Sequence, residues 1–106
     1  MSYLVEIEGC RIPIDHAGTL ARYYLKHCIP GSFTEALLRN DLFEAVARAD
    51  IISLAYLKPL VSLVVNYLPM AITRDNYDSW LENKDVEHHE LVISHHGKTW
   101  KKFLDM

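Results

Sequence analysis

The sequence predicts a mostly α domain (α+β): four helices, with short strands or a hairpin supplied by the termini. Three observations predict it. Apolar residues recur at helical spacing through the middle of the chain. Helix-start residues precede each run: Asp15, Ser32, Asp50 and Thr73. The chain has 106 residues, 50% of them hydrophobic and 24% charged, enough for one core and too little for two. Residues 1–106 are therefore read as a single domain, with a helical core at about 15–83 and a His-rich strand-and-turn tail at about 84–106.

Residues 3–14 alternate weakly, with Val5 and Ile7 against Leu4, Glu6 and Glu8. Gly9-Cys10 interrupts them and Arg11-Ile12-Pro13-Ile14 follows. This predicts a short strand or hairpin, with Pro13 confining its second half to an edge. Asp15 then serves as the expected N-cap of a first helix at about 16–27. Ala17, Leu20, Ala21, Tyr24 and Cys28 share one face of it. Ile29-Pro30-Gly31 ends that helix.

Ser32-Phe33-Thr34-Glu35 has the form of a capping box, which predicts a second helix at about 33–49. Leu38, Leu42, Ala45, Val46 and Ala49 form its apolar stripe. Asn40, Asp41, Glu44 and Arg48 lie on the polar side, and Glu44 precedes Arg48 by four residues, the favourable order for a helical ion pair. Asn and Asp are poor residues for a helix interior, so Asn40-Asp41 singles this strip out.

Asp50 caps a third helix at about 51–68 with two apolar faces. Leu54, Leu57, Val61, Val64, Val65 and Leu68 make one. Ile52, Tyr56, Leu60, Leu63 and Tyr67 make the other, separated by Lys58, Ser62 and Asn66. A helix apolar nearly all round is central or lies in an interface, and a chain this short has little material to surround it. The Ile52, Tyr56, Leu60, Leu63, Tyr67 face is thus expected to meet another protomer, making the protein a homo-oligomer. Pro59 is expected to kink this helix. Ile51 to Ile72 is nearly long enough to span a bilayer, but Lys58, Pro59 and Asn66 interrupt it, so a buried helix is read and no membrane partner. Thr73 caps a fourth helix at about 74–83 with Tyr77, Trp80 and Leu81 inward. Glu90 to Ser94 is a strand candidate able to pair with the N-terminal strand, and Lys98 to Phe103 returns as a strand or short helix.

Eleven Lys+Arg against fourteen Asp+Glu give a net charge of -3, poor for phosphate binding. A helix-turn-helix reading around Ile29-Pro30-Gly31 would offer Thr34, Glu35 and Arg39 to DNA, but the surrounding acids oppose it, and no duplex nucleic acid is expected. Cys10 and Cys28 lack metal or redox spacing and read as free thiols in a reducing compartment; the N-terminus has no basic export signal. His89 and His95 are the metal candidates. Their spacing matches no zinc signature, and solvent-facing His dipeptides around a strand are the simpler reading. There is no GxSxG, P-loop, GxGxxG or HExxH, so neither an enzyme nor a cofactor is expected.

One further pattern bears on function. It comprises Ile29-Pro30-Gly31-Ser32-Phe33, Ala36-Leu37-Leu38, Asn40-Asp41-Leu42, and Ala45 through Arg48-Ala49-Asp50, followed by Val61, Val64, Asn66, Pro69 and Trp80-Leu81-Glu82. Over about residues 12–83 the chain resembles a family of small helical proteins encoded in bacteriophages and prophages; the first strand and the tail after Asn83 depart from it. The resemblance implies a phage accessory protein working in the bacterial host cytoplasm, of the kind that inhibits a host process such as anti-phage defence. Two modes of action follow. One is capture of a nucleotide-like signal molecule by an oligomer, with Asn40, Asp41, Arg48, Lys58 and Asn66 as candidate ligand-binding residues. The other is docking on a host protein through an apolar helix face.

Overall fold

The computed structural model describes residues 3–69, 72–82 and 99–104. Strand β1 (Leu4–Ile7) pairs antiparallel with β2 (Cys10–Pro13), in register Val5 to Ile12 and Ile7 to Cys10. Both residues of the connecting turn have positive φ, Glu8 at 50° and Gly9 at 80°. Such a turn matches the twist of the paired strands. Ile7 and Ile12 are buried on one face while Leu4, Glu6 and Arg11 face solvent, so strand alternation sorts the side chains as the sequence suggests. The expected partner strand at 90–94 and the histidines around it, His89 and His95 included, lie outside the described residues.

Helix α1 (Ile14–Lys26) leaves β2 without a break. Its N-cap is Pro13, so Asp15 lies inside the first turn and is not the cap. There it still complements the positive helix end. Ala17, Leu20, Ala21, Tyr23 and Tyr24 are buried. Cys28 departs from this face and is exposed, because His27 turns left-handed (φ 55°) and closes the helix before it. The His27 and Cys28 amides donate to the Tyr23 and Arg22 carbonyls in the usual left-handed closing pattern.

The single helix expected at 33–49 is two. Helix α2 (Ser32–Leu38) and helix α3 (Leu42–Arg48) are separated at Arg39-Asn40-Asp41. Asn40 takes φ 64°, Asp41 N–H reaches back to the Ala36 carbonyl at 2.8 Å, and the Asp41 carboxylate accepts Glu44 N–H at 3.2 Å. Asn40 thus ends one helix and Asp41 starts the next, which explains a pair that would be costly inside a continuous helix. The capping box at Ser32 does not form: Gly31 is the N-cap and Ser32 the first helical residue.

The helix expected at 51–68 also divides, into α4 (Ile51–Ala55) and α5 (Leu57–Tyr67). Asp50 caps α4 as expected, accepting Ser53 N–H at 2.7 Å. Pro59 produces a full break where a kink is expected. It has no amide to give the Ala55 carbonyl, and its ring crowds that group, so α4 ends at Ala55. In α5, Pro59 then falls in the first turn, where a missing amide has no consequence. Thr73 precedes a tight turn, Arg74–Asn76, without a side-chain cap, and α6 (Tyr77–Leu81) follows.

The core lies between the hairpin, α1, α2, α5 and α6. Tyr23 stacks on Tyr77 at 5.3 Å, its hydroxyl donates to the Ile72 carbonyl, and Trp80 Nε1 donates to the Tyr23 carbonyl at 3.1 Å. The tail residues Trp100 and Phe103 are fully enclosed in the same core. Leu60 and Leu63, assigned from sequence to a protomer interface, are 1% and 0% exposed. They are filled against their own chain and are not available to a partner; Tyr56 and Tyr67 are half-buried, and of that set Ile52 alone is substantially open.

Candidate functional site

The five residues proposed from sequence as one ligand site do not form one. Asn40 and Asp41 rim a groove between the α2–α3 turn and α5. Arg48 lines a different cleft, beside Asp15, His16, Thr34, Asp50 and Ser53. Lys58 and Asn66 are exposed on α5, where the Asn66 amide donates to Ser62 Oγ at 3.3 Å. The break at Asn40 separates the orientation of the Asn40-Asp41 pair from the rest of the polar strip. The groove and the cleft are therefore separate places.

The groove holds about 540 Å³ of empty space, its open mouth included. Leu38, Leu42, Val61, Val64 and Val65 wall it, and Asn40, Asp41, Thr73 and Arg74 stand at its polar edge. Arg74 has φ 56°. Left-handed backbone costs a non-glycine residue about 1–2 kcal/mol. Arg74 forms no ion pair among the described residues, unlike Arg39 and Arg48. Sequence reading passed over Arg74 because it follows Thr73 as the first residue of an expected helix. The available signal was its charge, since the first turn of a helix favours anions.

The cleft is built around His16. Its Nε2 lies 2.9 Å from Ser53 Oγ, and its ring tilts against Phe33 with centroids 5.5 Å apart. Burial lowers the His16 pKa; Asp50 and Asp15 raise it by less. Ser53 holds the Asp50 carboxyl below its usual range, through its backbone amide and then its side chain. His16, Ser53 and Asp50 thus form a chain of hydrogen bonds that ties α1 to the start of α4. Arg48 pairs with Glu44 at 2.8 Å, the bond that raises its pKa, and both side chains are more than half exposed. Solvent screens so exposed a pair, and it adds little to stability.

Arg39 is exposed but engaged with its own chain, where a helix-turn-helix reading would leave it free for DNA. It grips Asp78 with two bonds, of 2.7 and 3.3 Å, and lies over the Tyr77 ring at 4.6 Å, while Thr34 is buried. Burial raises the Tyr77 hydroxyl to about 12. Among the described residues no group of His, Cys, Asp and Glu could hold a metal ion. No helix among them is long and apolar enough to cross a membrane.

The most distinctive surface was not anticipated. Ten large apolar side chains are exposed among the described residues, and six lie on α3 and α4. Phe43 is 92% and Ile51 87% exposed; Leu42, Val46, Ile52 and Leu54 are each about half open. Helix α3 buries only Ala45 and helix α4 only Ser53. Each helix therefore turns a small residue inward and its large residues outward, the reverse of a helix built only to fill its own core.

The fold is thus a mostly α domain with an antiparallel hairpin at its N-terminal end. Comparison with protein-family models, with curated proteins and with solved structures found no match.

Proposed function

We propose that this chain is a non-enzymatic binding protein, an accessory inhibitor of the phage type its sequence resembles, which docks on a host protein in the bacterial cytoplasm through the apolar face of α3 and α4. The observation that supports this reading is the outward placement of Phe43 and Ile51, flanked by Leu42, Val46, Ile52 and Leu54. Large apolar side chains left exposed on two successive short helices are the kind of surface that an interaction partner covers. Phenylalanine and isoleucine anchors contribute only once a partner covers them, and aromatic residues are typical centres of such interfaces. Among the described residues Arg48 lines the His16 cleft while Lys58 lines neither that cleft nor the groove, which favours docking over capture of a polyanionic nucleotide.

The test uses a double variant, Phe43→Ser with Ile51→Ser. Neither side chain contributes to the core, so the melting temperature should hold or rise. Immobilised wild-type protein should retain a host protein at fixed stoichiometry that the double variant does not retain, and host inhibition should disappear with it. Equal retention by both proteins overturns the reading. So does sedimentation showing that the wild type forms a homo-oligomer which the double variant abolishes, since the face would then be covered by its own copy.

A further inference from the structure

We propose that the groove between the α2–α3 turn, α5 and the Thr73-Arg74 corner binds a small carboxylic acid with an apolar body. The inference shares Leu42 with the α3–α4 face and otherwise rests on different residues. It begins with backbone conformation. Among the described residues, four non-glycine residues have positive φ. Glu8 serves the hairpin turn, and His27 and Asn40 close helices, where the left-handed conformation releases carbonyl partners. Arg74 opens the tight turn that follows Thr73. Its unfavourable conformation holds a guanidinium at the edge of an apolar groove, and strained backbone persists chiefly where the surrounding structure uses it.

The chemistry of the edge then selects the ligand. The Arg74 guanidinium forms no ion pair among the described residues. A planar guanidinium fork matches a carboxylate with two parallel bonds. Thr73 and Asn40 line the same groove and carry donor groups of the kind a carboxylate accepts from. The Asp41 carboxylate also lines the groove, engaged with the Glu44 amide at the start of α3. One cation beside one acid suits a ligand with a single negative charge and disfavours a doubly charged phosphate. Leu42, Val61 and Val65 offer the ligand's body an apolar wall.

Octanoate, octan-1-ol and adenosine monophosphate are the probes, titrated against the full chain by amide NMR and calorimetry. Octanoate should shift the amides of Leu42, Val61, Val65 and Thr73. Octanol should bind about tenfold or more weakly, the difference a charge-assisted pair supplies. Adenosine monophosphate should shift none of them. Arg74→Gln should weaken octanoate about tenfold and leave octanol unchanged. Arg74→Gly removes the guanidinium and the strained backbone together, so it should lose octanoate recognition while melting no lower than wild type. Octanol binding as tightly as octanoate overturns the proposal, as does undiminished octanoate binding by Arg74→Gln or preferential binding of the monophosphate. The Phe43→Ser, Ile51→Ser protein should bind octanoate normally, which separates failure of this site from failure of the docking face.

Discussion

His16 shows how much a single side chain carries here. It spans from α1 to α4 through Ser53, and Ser53 in turn meets the capping carboxylate of Asp50. Burial lowers the His16 pKa from its ordinary 6.5, with Asp50 and Asp15 offsetting part of the effect. The unfolded chain then binds the proton more readily than the folded one. The contribution of His16 to stability is complete above about pH 6.5 and is lost as pH falls below that value, levelling off beneath the folded-state pKa. Urea denaturation at about pH 7.5 and 5.5 should show the wild type losing more stability on acidification than His16→Gln. Equal losses would place the pH response elsewhere.

Among the elements, the break between α2 and α3 has the sharpest consequence. In a continuous helix, Asn40→Ala would stabilise the protein, because alanine is the better helix former. At a left-handed closing position the sign reverses: alanine should cost about 1 kcal/mol, and Asn40→Gly should be neutral or stabilising. Thermal melts of the two variants decide between the alternatives. The break is hard to read from sequence because the apolar spacing runs straight through it: Leu38, Leu42 and Ala45 keep helical register across Arg39-Asn40-Asp41. The informative residues were the pair itself, whose preference for helix ends outweighed the periodicity. Pro59 acted likewise on the next helix and divided it at Tyr56.

For the whole molecule, the unexpected fact is that the C-terminal residues complete the core. Trp100 is 0% and Phe103 2% exposed. A core helical domain ending near residue 83 would tolerate their removal; the observed packing would not. Trp100→Ala should cost about 3–5 kcal/mol. That is a large share of the roughly 5–15 kcal/mol by which a domain is stable, so the urea midpoint should fall steeply or the cooperative transition disappear. An unchanged midpoint would show the helical portion standing alone. Packing also decided the surface. Leu60 and Leu63 lie inside, and the apolar face left in water belongs to α3 and α4.

The boundary between what was legible and what was not follows the range of the interactions. By itself the sequence determined the mostly α class, the N-terminal hairpin, the Asp50 cap and the Glu44–Arg48 pair. Each of these rests on residues a few positions apart, whose geometry local backbone rules specify. Only the tertiary structure decided which apolar residues were covered, where Arg74 stands, and that Asn40 and Arg48 face different clefts. A stripe of leucines and valines shows that a face is apolar but not which element lies against it. Those answers depend on contacts between segments far apart in the chain, set by how two broken helices turn and by which side chains fill the remaining space.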